Sequence, residues 1–163
     1  MLSDSAVVET ESRCRAVLMR YAVCVDRRDW AGVVALFAKD AVWRRPQQPP
    51  LVGRAQILEF FETLDRRRRL ETPQGHLQRH LFTTVSIEPE GADTARGVAY
   101  AIVFRDEQYD GATVSEMRAP EVLVQYDDLF RRIDGCWLIA AHDSAHIFRA
   151  SGYVPRLTPG AVA

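Results

Sequence analysis

Lysine is almost missing from this chain. Of 21 basic residues, Lys39 is the only lysine and the other 20 are arginine. The bias has no evident physical cause. The chain also lacks an excess of either charge: 21 basic and 22 acidic residues leave a formal charge of −1. A nucleic-acid footprint needs a clustered positive surplus, so that class is disfavoured. No apolar run approaches the roughly 20 residues that span a bilayer, so no membrane partner is expected. The N-terminal stretch, Met1 to Arg13, carries acidic residues and no secretory apolar segment, which points to a cytoplasmic location. Only three cysteines are present (Cys14, Cys24 and Cys136), odd in number, widely spaced and without a C-x-x-C. A disulfide framework or a zinc site is therefore not expected, and buried thiols are.

What is present suits one domain. At 163 residues, 47% hydrophobic and 26% charged, the chain reads as globular and as a single unit over 1–163. Its core runs from about residue 10 to residue 148, with an irregular tail over 152–163, where Pro155, Pro159 and Gly160 fall.

Cys14, Val17, Leu18, Tyr21, Ala22 and Val25 recur at helical spacing and give one apolar face. Asp26 falls at the margin of that stripe, where the helix ends. Asp29 is a good N-cap for a second short helix with Trp30, Val33, Val34 and Phe37 on one side. A strand over Ala41 to Arg44 comes next, then a proline-rich loop. Gly53 precedes a third helix with Ile57, Leu58, Phe61 and Leu64 on one face. Beyond it the pattern is mostly sheet. Arg79 to Ile87 alternates, so that His80, Phe82, Thr84 and Ser86 share a face. Further strands are expected over Ala95 to Phe104, Glu121 to Arg132 and Cys136 to about Phe148, the last two joined by an Asp134-Gly135 hairpin turn. Helices leading into strands indicate an α+β fold. A long twisted antiparallel sheet curls around the helical layer, and its open end makes an apolar pocket.

Tyr21-x4-Asp26-x2-Asp29-Trp30, Leu36-Phe37-x2-Asp40-Ala41-Val42-Trp43, Gly53-Arg54, Arg79-His80 and Ile133-Asp134-Gly135-x-Trp137 together resemble the SnoaL-like proteins of the nuclear transport factor 2-like superfamily. The resemblance implies a cone-shaped curved sheet wrapped around three N-terminal helices. Within that set the chain is most similar to the scytalone dehydratase and hexachlorocyclohexane dehydrochlorinase branch. That similarity implies a catalytic pair of Asp26 with His80 and a pocket aromatic at Trp43, and related folds keep a pocket tyrosine at the place of Tyr21. Arg45 stands where ketosteroid isomerases keep their general base, which disfavours steroid-type isomerisation. Arg105 stands near a second histidine of scytalone dehydratase, which disfavours scytalone as substrate. The paired aspartates of limonene epoxide hydrolase are not evident.

The chemistry comes from the residue types. Imidazole titrates near neutrality. A carboxylate on one ring nitrogen fixes the tautomer, and the other nitrogen takes a proton from substrate, with no metal or organic cofactor required. Tyr21, or a neighbouring Arg45, Arg131 or Arg132, stabilises the departing charge. Phe82 and Tyr100 are the further aromatics expected on the pocket wall, with Arg131 as a substrate contact. The plain alternative is a surface aspartate at a helix end and a half-buried strand histidine. His142 and His146 lie four apart with Asp143 between. On a helix that spacing suits zinc, but on a strand it means pocket lining or sheet surface. Arg66 to Arg69 complements the dipole at the end of the third helix and then faces solvent.

These readings give a cofactor-independent dehydratase-type lyase acting on a small apolar substrate, aromatic, polyketide or terpenoid. The alternatives are a polyketide cyclase or isomerase, and a non-catalytic subunit resembling the small subunit of ring-hydroxylating dioxygenases. Apolar residues on the convex sheet face point to a homodimer or homotrimer.

Overall fold

A computed structural model of the chain describes residues 2–72, 75–116 and 119–151, so the expected irregular tail over 152–163 lies outside the described residues. Three helices, α1 (Asp4–Arg27), α2 (Trp30–Ala35) and α3 (Gly53–Glu71), pack on a six-stranded sheet. Its strands are β1 (Phe37–Arg44), β2 (Leu51–Val52), β3 (Leu77–Pro89), β4 (Thr94–Asp106), β5 (Val122–Ile133) and β6 (Cys136–Arg149), ordered β2-β1-β6-β5-β4-β3. Among the described residues, only the β1–β6 pairing is parallel. The expected α+β architecture, a mixed sheet with helices leading, is what the chain adopts.

The break between α1 and α2 sets the geometry that matters later. Arg28 adopts the left-handed conformation (φ 58°) and its N–H reaches back to Cys24 and Val25. Asp29 caps α2 by accepting from the Gly32 N–H at 2.8 Å. A β-carbon at Gly32 would lie 2.2 Å from the Asp29 carboxylate, so this tight cap requires glycine. Phe37, expected on α2, instead opens β1. It is fully buried there, and Arg54 Nε donates to its carbonyl at 2.7 Å, tying the start of α3 to the start of β1.

Bulges shift the faces of the sheet. In β3, Phe82 pairs with Ala101 but Thr84 pairs with Tyr100, so Thr83 is an extra residue. Gln78, His80 and Phe82 turn inward before it, and Val85 and Ile87 after it. The expected single face of His80, Phe82, Thr84 and Ser86 is therefore interrupted. In β6, Ala140 and Ile147 are extra residues.

The core lies between helices and sheet, around Leu18, Val33, Phe37, Ile57, Phe130 and Ile139. Gly97 makes room for it: a β-carbon there would come within 2.8 Å of both Ile87 and Phe130. Among the described residues, no helix is long and apolar enough to cross a membrane.

Candidate functional site

Asp26 occupies the last turn of α1, and β3 is an edge strand. Alternate N–H groups along an edge strand have no strand partner and must find one elsewhere. That of His80 donates to Asp26 Oδ2 at 3.0 Å. The other carboxylate oxygen, Oδ1, takes the His80 Nδ1–H at 2.6 Å. Gln78 Nε2 adds a third link from β3 to α1 by donating to the Val25 carbonyl at 3.2 Å. Both side chains of the Asp26–His80 pair are 11% exposed. With its proton on Nδ1, the ring leaves Nε2 as the basic nitrogen.

His80 lines a cavity of about 100 Å³ enclosed by all three helices and the concave face of the sheet. Tyr21 and Trp43 line it. So do Trp30, Phe60 and Phe61. Trp43 Nε1 is buried there without a hydrogen-bond partner. Tyr21 is 3% exposed. Burial, then the charges of Tyr126, Asp128 and Asp26, raise its phenol well above the ordinary range. At neutral pH it is a donor.

Three expected contacts are placed elsewhere. Tyr100 points outward and is 37% exposed, because the inward residues of β4 are the odd-numbered ones from Ala95 to Val103. Arg131 likewise alternates away from the inward Phe130, and its guanidinium pairs with Asp40. Phe82 does face inward, but it stacks on Tyr126 at 5.6 Å and lies behind the cavity wall. Arg45 is buried, sits over the Phe60 ring at 4.3 Å and donates to the Pro49 carbonyl. The cations on the cavity wall are instead Arg68 and Arg105. Arg68 is the inward member of the arginine run, only 7% exposed, where the sequence suggested solvent. Burial, then the charges of Arg105 and Arg28, lower it to about 10, so it stays protonated at neutral pH.

A second aspartate–histidine pair is not legible in the sequence. Asp128 Oδ1 and His142 Nδ1 lie 2.5 Å apart, both side chains fully buried. Counted straight back from the Asp134-Gly135 turn, His142 falls opposite Asp127. The bulge at Ala140 advances β6 by one residue and sets it opposite Asp128. The Tyr126 ring stacks on His142 at 4.7 Å and Tyr21 meets it edge-on at 4.9 Å. Burial raises the Asp128 carboxyl, and His142 opposes that shift. The one sequence signal was a carboxylate inside the alternating inward set of Tyr126 and Phe130. His146, two residues beyond Ser144, lines the cavity, and burial, then the charges of Arg149 and Arg105, lower its imidazole. Among the described residues, no group of three or more His, Cys, Asp or Glu side chains is placed to hold a metal ion.

Comparison with known proteins matches residues 6–143 to the model of the SnoaL-like domain. No curated protein matches significantly. Among solved structures, a candidate scytalone dehydratase from Novosphingobium aromaticivorans superposes with a TM-score of 0.75 over 99% of each chain, at 14% identity. An NTF2-like protein with a cystatin-like fold from the same organism covers 88% of this chain and 86% of its own, at 20% identity and a TM-score of 0.70. ActVI-ORFA from Streptomyces coelicolor gives 21% identity, 83% and 96% coverage, and a TM-score of 0.67. At these identities the structural likeness establishes the fold alone.

Proposed function

The chain belongs to the SnoaL-like domain family, with its nuclear transport factor 2-like fold, and we propose that it is a cofactor-independent, dehydratase-type lyase for a small, mostly apolar substrate, aromatic, polyketide or terpenoid. The observation that carries this reading is the 2.6 Å bond from His80 Nδ1 to Asp26, on a histidine that lines the cavity. His80 Nε2 takes a proton from a substrate carbon. The electron pair left behind forms a double bond as the neighbouring hydroxyl departs. The imidazolium then returns its proton to that hydroxyl, so that water leaves and the ring is restored. Asp26 orients the ring and stabilises its charged form. Tyr21 donates to the oxygen on which charge develops, and Trp43 holds the substrate body. General base catalysis of this kind supplies roughly 10²–10⁴-fold.

A cyclase or isomerase would share the first proton transfer and differ in the later fate of the carbanion. A binding subunit of the dioxygenase type would need no such pair, and a histidine held at ring and backbone beside a cavity favours chemistry. Residues 1–163 act as one unit in this proposal, and a cytoplasmic setting accords with three free thiols.

The test is turnover by His80→Ala against a panel of hydroxylated aromatic and polyketide-like compounds on which the native protein eliminates water. A fall of two to four orders of magnitude (about 10²–10⁴) is expected. Unchanged turnover would remove His80 from the reaction.

A further inference from the structure

Arg68 lacks an anionic partner. Its Nη1 donates to Gln78 Oε1 at 3.1 Å and lies 3.4 Å from His76 Nε2, both neutral contacts. Its Nε is buried with no hydrogen-bond partner. Among the described residues no carboxylate lies within ion-pair distance of it. Of the carboxylates around it, Asp65 pairs with Arg28 at 3.2 Å and Arg69 at 3.0 Å and Glu121 pairs with Arg105, while Glu121 and Glu107 act on Arg68 only through their charge, without an ion pair. A second guanidinium, Arg105, lines the same cavity. A buried cation without a counter-ion is costly, and the ordinary compensation is an anion. Arg68 is on the wall of a cavity that also holds His80, so an anion entering it from solvent would meet both.

We propose that Arg68, supported by Arg105 and Gln78, is a carboxylate subsite, so that the substrate is the anion of a small carboxylic acid with an apolar body. The guanidinium fork matches a planar carboxylate better than any neutral oxygen. The apolar part would lie against Trp30, Trp43, Phe60 and Phe61, and the acid group would fix which carbon is presented to His80. This rests on the cavity of His80 being the substrate site, as proposed above.

Benzoate and benzamide share a shape and differ in charge. Their binding to the intact protein is measurable by calorimetry and by quenching of Trp30 and Trp43 fluorescence. Benzoate is expected to bind at least about tenfold more tightly at low salt. Arg68→Gln should abolish the preference and Arg68→Lys should keep part of it. Equal binding of the two probes, no binding of either, or a folded Arg68→Gln protein with the full preference would overturn the assignment. If Arg68→Gln does not fold, the comparison on the native chain still decides. His80→Asn separates the two proposals. If turnover is unaffected by that change but benzoate is still preferred, only the chemistry fails. If turnover collapses and benzamide binds as well as benzoate, only the carboxylate subsite fails.

Discussion

The two carboxylate oxygens of Asp26 divide between the ring and the backbone of His80, at 2.6 Å and 3.0 Å. One oxygen selects the tautomer. The other holds the backbone of the strand at the same carboxylate, so the ring starts from a fixed position beside its partner.

Asp26→Asn keeps the shape but loses the charge that stabilises the imidazolium. It can also hold the ring in the wrong tautomer by donating to Nδ1. A loss of roughly 10²–10⁴ in kcat is expected, with KM changed little. Steady-state kinetics on a substrate of the native protein checks this. A KM effect without a kcat effect would mean that Asp26 only shapes the cavity.

Asp128→Ala should cost stability far more than it costs binding. It leaves His142 buried without its partner, a loss of about 3–5 kcal/mol. For a chain of this size that lowers the melting temperature by roughly 6–20 °C, readable by circular dichroism. An unchanged melting temperature would show the pair contributes nothing to the fold.

Acid should weaken the fold through His76. Burial, and then the charge of Arg68, lowers its imidazole from 6.5 to about 4. Between those values the unfolded chain takes up a proton that the folded chain refuses. Stability present above pH 6.5 is therefore lost as pH falls towards 4. Discounted for its partial exposure, the loss is on the order of 1–2 kcal/mol. The lowered His146 acts in the same direction. Urea unfolding at both ends of that window should show a smaller difference for His76→Asn than for the native chain.

The outer sheet face carries an apolar row. Leu81, Ile102, Leu123 and Phe148 stand side by side across β3, β4, β5 and β6, with Leu81 47% and Phe148 69% exposed. Such a row is poorly suited to water, and we expect self-association through it as a dimer or trimer. Light scattering at micromolar concentration should give a multiple of the 18.5 kDa chain mass. Leu81→Glu with Phe148→Glu should reduce it to the monomer. A monomeric native protein would refute the idea.

Much of this was written in local order. The stripe from Cys14 to Val25, the Asp29 cap, the glycine that opens α3 and the Asp134-Gly135 turn each depend on neighbours within a few residues. They therefore delimit elements whatever the rest of the chain does. The same local logic put Asp26 at a helix end and His80 on a strand, and the family resemblance suggested that they meet.

What only the tertiary structure decided depends on register between distant segments. One extra residue at Ala140 turned His142 towards Asp128, and one at Thr83 reversed the face of β3, because a strand's side chains alternate with every residue. Tyr100 and Arg131 were lost from the cavity by the same parity. Arg68 was gained because a helix with four consecutive arginines must turn one of them inward, and only the packing of α3 against the sheet says which.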